Sequence, residues 1–268
     1  MVTSCQRWRD GRARYRPAGE VFNTARASVQ EIGESAAKPF TVQHHYEHSF
    51  PASRFQAGLF VRSRFELERL VGVAVFSVPM SQGVIPHWFA GLPAARGALL
   101  GRLVLLDEVA SNAESWFVAR AFRLLKAKLV EVDGILSYCD PVERLNALGE
   151  RVKPGHLGTV YQALNAAYLG LARPRTEILS RDGRVFSQRA LSKLRNDEVG
   201  ARYAYEQLRG LGAPARRTFE GGHEYAARAL REGGFRARRH PGNHTYAWWL
   251  GALRARPAWR PMPYPKAA

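Results

Sequence analysis

Four short apolar runs constrain this chain's fold more than any other feature. They are FQAGLFVR (55–62), ERLVGVAVFSVP (68–79), GRLVLLDEVA (101–110) and GILSYCD (134–140). Each is rich in Val, Leu, Ile or Phe and bounded by Gly, Pro or charge, as buried or half-buried strands are. Between the third and fourth lies SNAESWFVARAFRLLKAKLVE, long enough for several helical turns. Ser111 or Asn112 stands where an N-cap belongs, Glu114 falls in the first turn, and the lysines gather toward the C-terminal end. Further on, TVYQALNAAYLG reads as a short helix leading into a strand, and RTEILSRDGRVFSQ as a hairpin turning at Asp182–Gly183. SKLRNDEVGARYAYEQLRGLG and HEYAARALREGGF read as helices, HPGNHTYAWWLG as a closing strand. This order predicts an α/β (α+β) layer architecture, a mixed central sheet flanked by helices. The expected organisation is a basic N-terminal arm over 1–40, with EIGESAAKPF as a short helix or turn, then a core over 41–175. A basic C-terminal segment over 176–268 is expected to pack on that core, and its Pro-rich end cannot form a regular element.

Charge narrows the partner. Forty lysines and arginines face 23 acidic residues, a net +17. The excess is uneven: from Leu171 onward there are 20 basic and 8 acidic residues, so +12 of the +17 lies there. Arginines dominate, and their planar fork matches phosphate. Such a balance points to a polyanion, with nucleic acid the expected partner. An arginine-rich composition inherited from a GC-rich genome is the bland alternative.

No run of about 18 apolar residues exists, so no membrane-spanning helix is expected, and the N-terminus lacks the apolar core of a secretory signal. Only Cys5 and Cys139 are present, which gives no disulfide framework and no CxxC metal site. The simplest expectation is a reducing cytoplasm.

Four constellations could carry chemistry. LVLLDEVASNAES leads a strand into a helix N-terminus, where backbone N–H groups can hold an anion such as a pyrophosphate; the plain alternative is a capped helix. There is no GxGxxG and no P-loop. LSYCDP places Ser137 and Asp140 at a strand end, where a carboxylate can serve as base or simply form an Asp-Pro turn. GHLGTVYQA sets His156 between Gly155 and Gly158, ahead of a helix bearing Tyr161, which could donate a proton to a leaving group. The last, HHYEHSFP, brings His44, His45, Tyr46 and His48 together. His44 and His48 have ligand spacing only on a helix, and Pro51 makes an extended loop the expectation, so metal binding is weakly indicated. Acid/base work or base stacking suits this cluster better.

Taken in order, HHYEHSFP, NAES, LSYCDP, GHLGTVYQA, HPGNHTY and the PYPK tail resemble the bacteriophage Mom-type DNA adenine modification proteins, from about His44 to the end. That family is similar in core layout to GCN5-related N-acyltransferases. The resemblance implies an anti-restriction transferase that places a carbamoylmethyl-type group on adenine N6 in double-stranded DNA, in a bacterial host cell. It also implies acetyl-CoA or a related acyl-CoA, held by Val109, Ser111, Asn112, Ala113, Glu114 and Ser115, although the acyltransferases' Q/RxxGxG/A loop is absent. Tyr161 matches the tyrosine that protonates the departing thiolate. Asp140 becomes the expected base, and His48 and Tyr46 further catalytic residues. His44, His45, Ser137, His156 and Gly158 are expected to meet the flipped-out adenine. Two other classes stay open: an acyl-CoA-dependent N-acyltransferase acting on another amine, and a non-catalytic DNA-binding protein.

Overall fold

The computed structural model describes residues 2–9, 12–17, 21–62, 67–110 and 112–266, with side chains from residue 21 onward. The chain divides into two compact units. The first comprises residues 1–139, 156–171 and 243–268; the second comprises 140–155 and 172–242.

The first unit opens with a hairpin, β1 (Val2–Arg9) and β2 (Arg12–Pro17). There follow β3 (Ala27–Glu31), α1 (Glu34–His44), β4 (Ser53–Arg62), β5 (Glu68–Ser77), α2 (Val84–Trp88), β6 (Gly97–Leu105), α3 (Ala113–Lys128) and β7 (Gly134–Cys139). It is completed by α4 (Thr159–Ala163), β10 (Ala167–Leu171) and β14 (His244–Trp249). Seven strands make one mixed sheet in the order β10-β14-β7-β6-β5-β4-β3. All its pairs are antiparallel except β6 with β7.

The pattern of β5 explains the layering. Residues Val71 to Ser77 are all buried, so both faces are covered. Val73 and Val75 pack with Ala37 of α1, whereas Ala74 and Phe76 pack with Phe117, Ala121 and Phe122 of α3. A strand buried on both faces reads as a continuous apolar run rather than an alternating one, as this one does. The expected fold class, a mixed α/β sheet flanked by helices, is the one observed.

Two features of β6 prepare the site. Its register against β5 slips between Val75 and Phe76, which face Arg102 and Leu100, so Gly101 is the extra residue of a bulge. A Cβ there would stand 2.5 Å from the Ser77 hydroxyl, so a larger residue would have to displace the Ser77 side chain. Bulges re-aim the side chains beside them, here that of Arg102. The parallel ladder with β7 joins only Gly97, Ala98 and Leu99 to Gly134, Ile135 and Leu136. Where it stops, the Ser137 hydroxyl donates to the Leu100 carbonyl at 2.9 Å.

The second unit holds the small hairpin β8 (Arg144–Leu145) and β9 (Arg151–Lys153), and the sheet β12-β11-β13, from β11 (Arg175–Leu179), β12 (Val185–Phe186) and β13 (Arg236–His240). Helices α5 (Gln188–Arg195), α6 (Ala201–Gly210) and α7 (Gly222–Glu232) complete it. Its own core is built on Phe186, Leu191, Leu194, Leu208 and Tyr225.

Several expectations are corrected. The expected arm is not wholly outside the core: β3 is an edge strand of the main sheet, and α1 runs through Pro39 to His44. The basic C-terminal segment is not one appendage. β14 lies inside the main sheet, between β10 and β7, and the tail packs beside it: Met262 N–H donates to the Tyr168 carbonyl at 2.8 Å, and Trp259 Nε1 to the Trp88 carbonyl at 2.7 Å. The single helix expected from Ser192 to Gly212 is two, α5 and α6, because Asp197 and Gly200 take left-handed φ of 50° and 91°. The Asp182–Gly183 hairpin is present, with Gly183 at φ 80°.

Candidate active site

The site begins where α1 ends. His44 is the helix's last residue and His45 its C-cap, donating its N–H to the Thr41 carbonyl at 2.9 Å. A tight turn follows, closed by His48 N–H to the His45 carbonyl at 2.9 Å, with His48 at a left-handed φ of 45°. The expected extended loop is thus a helix end and a turn. The His44 ring packs on Phe40, one turn back on its own helix, at 4.7 Å.

The turn fixes two tautomers. His48 Nδ1 lies 2.9 Å from the Val42 carbonyl. A carbonyl only accepts, so Nδ1 carries the proton and Nε2 of the neutral ring keeps its lone pair. His45 is the opposite case. Its Nδ1 accepts from the Glu47 N–H at 3.1 Å, so Nε2 carries the proton. Burial, then the charges of Arg102, His156 and His48, push the His45 pKa well below the usual histidine value. His45 is therefore a neutral hydrogen-bond donor at pH 7, whereas the His48 tautomer leaves its Nε2 lone pair uncovered by that bond.

Aromatic faces carry the cluster onward. Tyr46 lies 4.3 Å from His45 and stacks on His156 at 5.3 Å and 27°. Arg102 pins the turn: its Nε donates to the Ser49 carbonyl at 3.1 Å and its Nη2 to the Ser49 hydroxyl at 2.8 Å.

Tyr161 enters from α4. Gly158, the N-cap, has φ 72°, and a Cβ on it would meet the Tyr246 ring at 2.5 Å and the Tyr161 ring at 3.0 Å. Gly158 thus seats Tyr161 between Tyr246 (5.4 Å) and Trp248 (5.5 Å). Burial pushes the Tyr161 phenol up to about 12; a hydrogen bond with Ser137 and the Arg102 charge pull against that, and Cys139 adds to it. Tyr161 is a phenol, not a phenolate, at neutral pH. Behind it the Tyr168 hydroxyl pairs with His244 Nδ1 at 2.7 Å, and burial lowers the pKa of that histidine. His45 and Tyr161, expected from sequence, both feel the charge of Arg102, which was not expected; Tyr46 and His156 stack on from His45, and Ser137 bonds Tyr161. An arginine inside the apolar run GRLVLL was the available signal. Tyr168 and His244 gave none, since either reads as an ordinary strand residue.

The α3 N-terminus matches its expected form in part. Asn112 is the N-cap, at φ 67°, and its side chain makes no capping bond. Ser115 Oγ instead donates to the Asn112 carbonyl at 3.2 Å. Val109 is buried, and its N–H is spent on the Leu106 carbonyl at 3.1 Å. Glu114 puts a carboxylate in the first turn, which opposes an incoming anion. Ala113 is buried in the core. Ser111 lies outside the described residues.

Asp140 belongs to the second unit, and its surroundings do not suit the expected base. Its carboxylate meets Lys153 Nζ at 3.1 Å, Arg144 at 3.5 Å and His240 Nε2 at 2.8 Å, and accepts from the Val142 N–H at 2.9 Å. Burial raises its pKa, but the Lys153 charge and these hydrogen bonds overcome that and hold it far below the usual carboxylate range. His240 Nδ1 accepts from the Gly242 N–H at 3.0 Å, so its Nε2–H is the donor to Asp140. Held ionised in this way, the carboxylate pairs with the buried Lys153 and Arg144 and is a weak base.

Among the described residues no group of three His, Cys, Asp or Glu side chains is placed to hold a metal ion, and no helix is long and apolar enough to cross a membrane. No curated protein matches the sequence. Among solved structures, the tandem GNAT protein from the clavulanic acid biosynthesis pathway (without AcCoA) aligns with a TM-score of 0.43 at 10% identity, covering 84% of this chain and 99% of that chain. The profile of the Mom protein family matches residues 26–220. That span takes in the main sheet through β10, the histidine turn, α4 and most of the second unit, and the chain belongs to the Mom protein family.

Proposed function

We propose that this chain is a DNA modification transferase that places a small group, of carbamoylmethyl type, on N6 of adenine. The observation that carries the reading is His48: its Nδ1 is tied to a carbonyl, so its Nε2 is ready to accept a proton in the cluster that also holds the Tyr46–His156 stack. Adenine N6 is a poor nucleophile because its lone pair is delocalised into the ring, so a base must take a proton as the new bond forms. The target also lies within the duplex and must be flipped out to be reached. Stacked rings such as Tyr46 and His156 suit the edge or face of a flipped base.

In this mechanism the N6–carbon bond forms while the N6 proton passes to His48 Nε2. Tyr161, protonated at neutral pH, donates a hydrogen bond or proton to the departing group. His45 donates through Nε2, and Arg102 holds the turn and adds positive charge where negative charge develops. Asp140 takes a positioning role, neutralising Lys153 and orienting His240.

An acyl-CoA, when bound, supplies an activated thioester carbon and a thiolate leaving group. Its pyrophosphate would lie at the first turn of α3, Ala113 to Ser115, against the positive end of the helix and with the Glu114 carboxylate opposing it. A carbamoylmethyl group joins N6 through a saturated carbon, which plain acyl transfer does not produce. The mass of the product therefore identifies the group.

The test is mass spectrometry of nucleosides from the DNA of cells expressing the chain, its His48→Gln variant or its Tyr161→Phe variant. A new adenosine species is expected from the parent chain, reduced about 100-fold or more in His48→Gln. An unchanged nucleoside profile beside soluble, folded parent protein sinks the reading.

A further inference from the structure

Helix α3 has a face that the site above does not use. Between it and the edge strand β3 lies an open depression of about 620 Å³, lined by Thr24, Ser28, Val29, Trp116, Arg120 and Arg123 among others. The Arg120 guanidinium lies 3.7 Å over the Trp116 ring, and Phe22 braces that indole edge-on at 5.3 Å. Neither Arg120 nor Arg123 makes an ion pair or hydrogen bond with a described residue. The contrast with their neighbours is sharp. On the same helix Lys126 pairs with Asp133 at 2.8 Å and Lys128 with Glu31 at 3.0 Å. Elsewhere in the unit Arg54 pairs with Glu131 at 3.0 Å and Arg62 with Glu68 at 3.2 Å.

An i,i+3 pair of like charges shares one helix face and destabilises it when nothing lies between. Burial and the Arg123 charge already lower the proton affinity of Arg120. An anion seated in the depression removes that repulsion. Stacking holds the Arg120 fork in place before any ligand arrives, so little side-chain freedom is lost on binding. Thr24 and Ser28 add hydroxyls of the kind that contact phosphate oxygens.

We propose that this groove grips the phosphodiester backbone of duplex DNA, with Arg120 and Arg123 as its anion forks and Trp116 as the platform for Arg120. The proposal rests on the DNA reading above and gives it a second, sequence-independent contact. The groove is open, as a polymer requires, rather than a closed pocket for a free phosphate. Its arginines lie about 10–15 Å along α3 from the first turn, so the contact is distinct from the anion site expected there.

The test is fluorescence anisotropy with labelled duplexes of unrelated sequence across a salt series. It uses the full chain, Arg120→Ala/Arg123→Ala, Arg120→Lys and a control, Lys38→Ala, with circular dichroism confirming the fold. The double variant should bind all duplexes more weakly, with a salt slope smaller by about 1.8, the value for two lost phosphate contacts. Arg120→Lys, which keeps charge but loses the fork, should fall between, and Lys38→Ala should match the parent. An unchanged slope in the folded double variant overturns the groove and leaves the DNA reading standing. Failure of the parent chain to bind any duplex overturns both.

Discussion

His45 couples the site to stability. Its folded pKa is depressed by burial and then by the neighbouring Arg102, His156 and His48. The unfolded chain, with a histidine pKa of about 6.5, therefore binds more protons as the pH falls below that value. Stability is unaffected by this group above about pH 6.5 and drops as the pH falls toward the folded pKa. A series of denaturant midpoints should show a decline starting near neutrality, before carboxylates titrate, and His45→Gln should flatten it. An unchanged slope in that variant would show His45 protonating as freely in the folded state as in the unfolded one. Asp140 is the reverse case. Its folded pKa is depressed, so its contribution is full above about pH 4 and is lost only in stronger acid. The two residues show why charge could be counted in the sequence but proton affinity could not. LSYCDP shows a carboxylate at a strand end; only the fold brings Lys153 and His240 to it.

Among the elements, α4 has the tightest constraint for its length. It has five residues, and Gly158 caps it at φ 72° with the Tyr246 ring against its missing side chain. Gly158→Ala meets both obstacles. The left-handed backbone costs about 1 kcal/mol, and the methyl group must displace Tyr246 or Tyr161. The expected result is a modest loss of denaturant stability and a disproportionate loss of DNA modification, because the phenol moves. Full activity in this variant would remove Tyr161 from the mechanism. The same elements show what was legible. The strands β4, β5, β6 and β7 declare themselves through apolar runs, and α3 through its charges and cap. β13, RARRH, has no apolar alternation at all. It is a strand because Thr176 to Leu179 of β11 offer a partner edge, and pairing of that kind leaves no periodic trace. α1 was legible only as a short helix or turn ending at Phe40, because Pro39 reads as a stop signal and hid the run on to His44. Arg102 depends on a bulge at Gly101, and a bulge is a property of two strands together.

At the scale of the molecule, the two units have separate cores and separate reporters. All tryptophans with described side chains, Trp88, Trp116, Trp248, Trp249 and Trp259, lie in the first unit, and the second has none. Leu194 is fully buried in the second core. Leu194→Ala should cost that core about 2–5 kcal/mol. In a denaturant titration the helical signal should then begin to fall while tryptophan fluorescence still reports a folded sheet. Coincident loss of both signals would mean that the two cores melt as one.

The place of β14 also sets an order of events on the ribosome. β14 lies between β10 and β7, yet it is made last of the three, after the whole of the second unit. At about 5–20 residues per second, the stretch 172–249 takes roughly 4–16 s to synthesise. Throughout that interval the nascent chain holds β7 with an unpaired edge and β10 with no neighbour to join. An edge of that kind is open to pairing with other chains. The second unit can fold during the wait, and Tyr161 gains its flanking Tyr246 and Trp248 only when the closing strand slides into place.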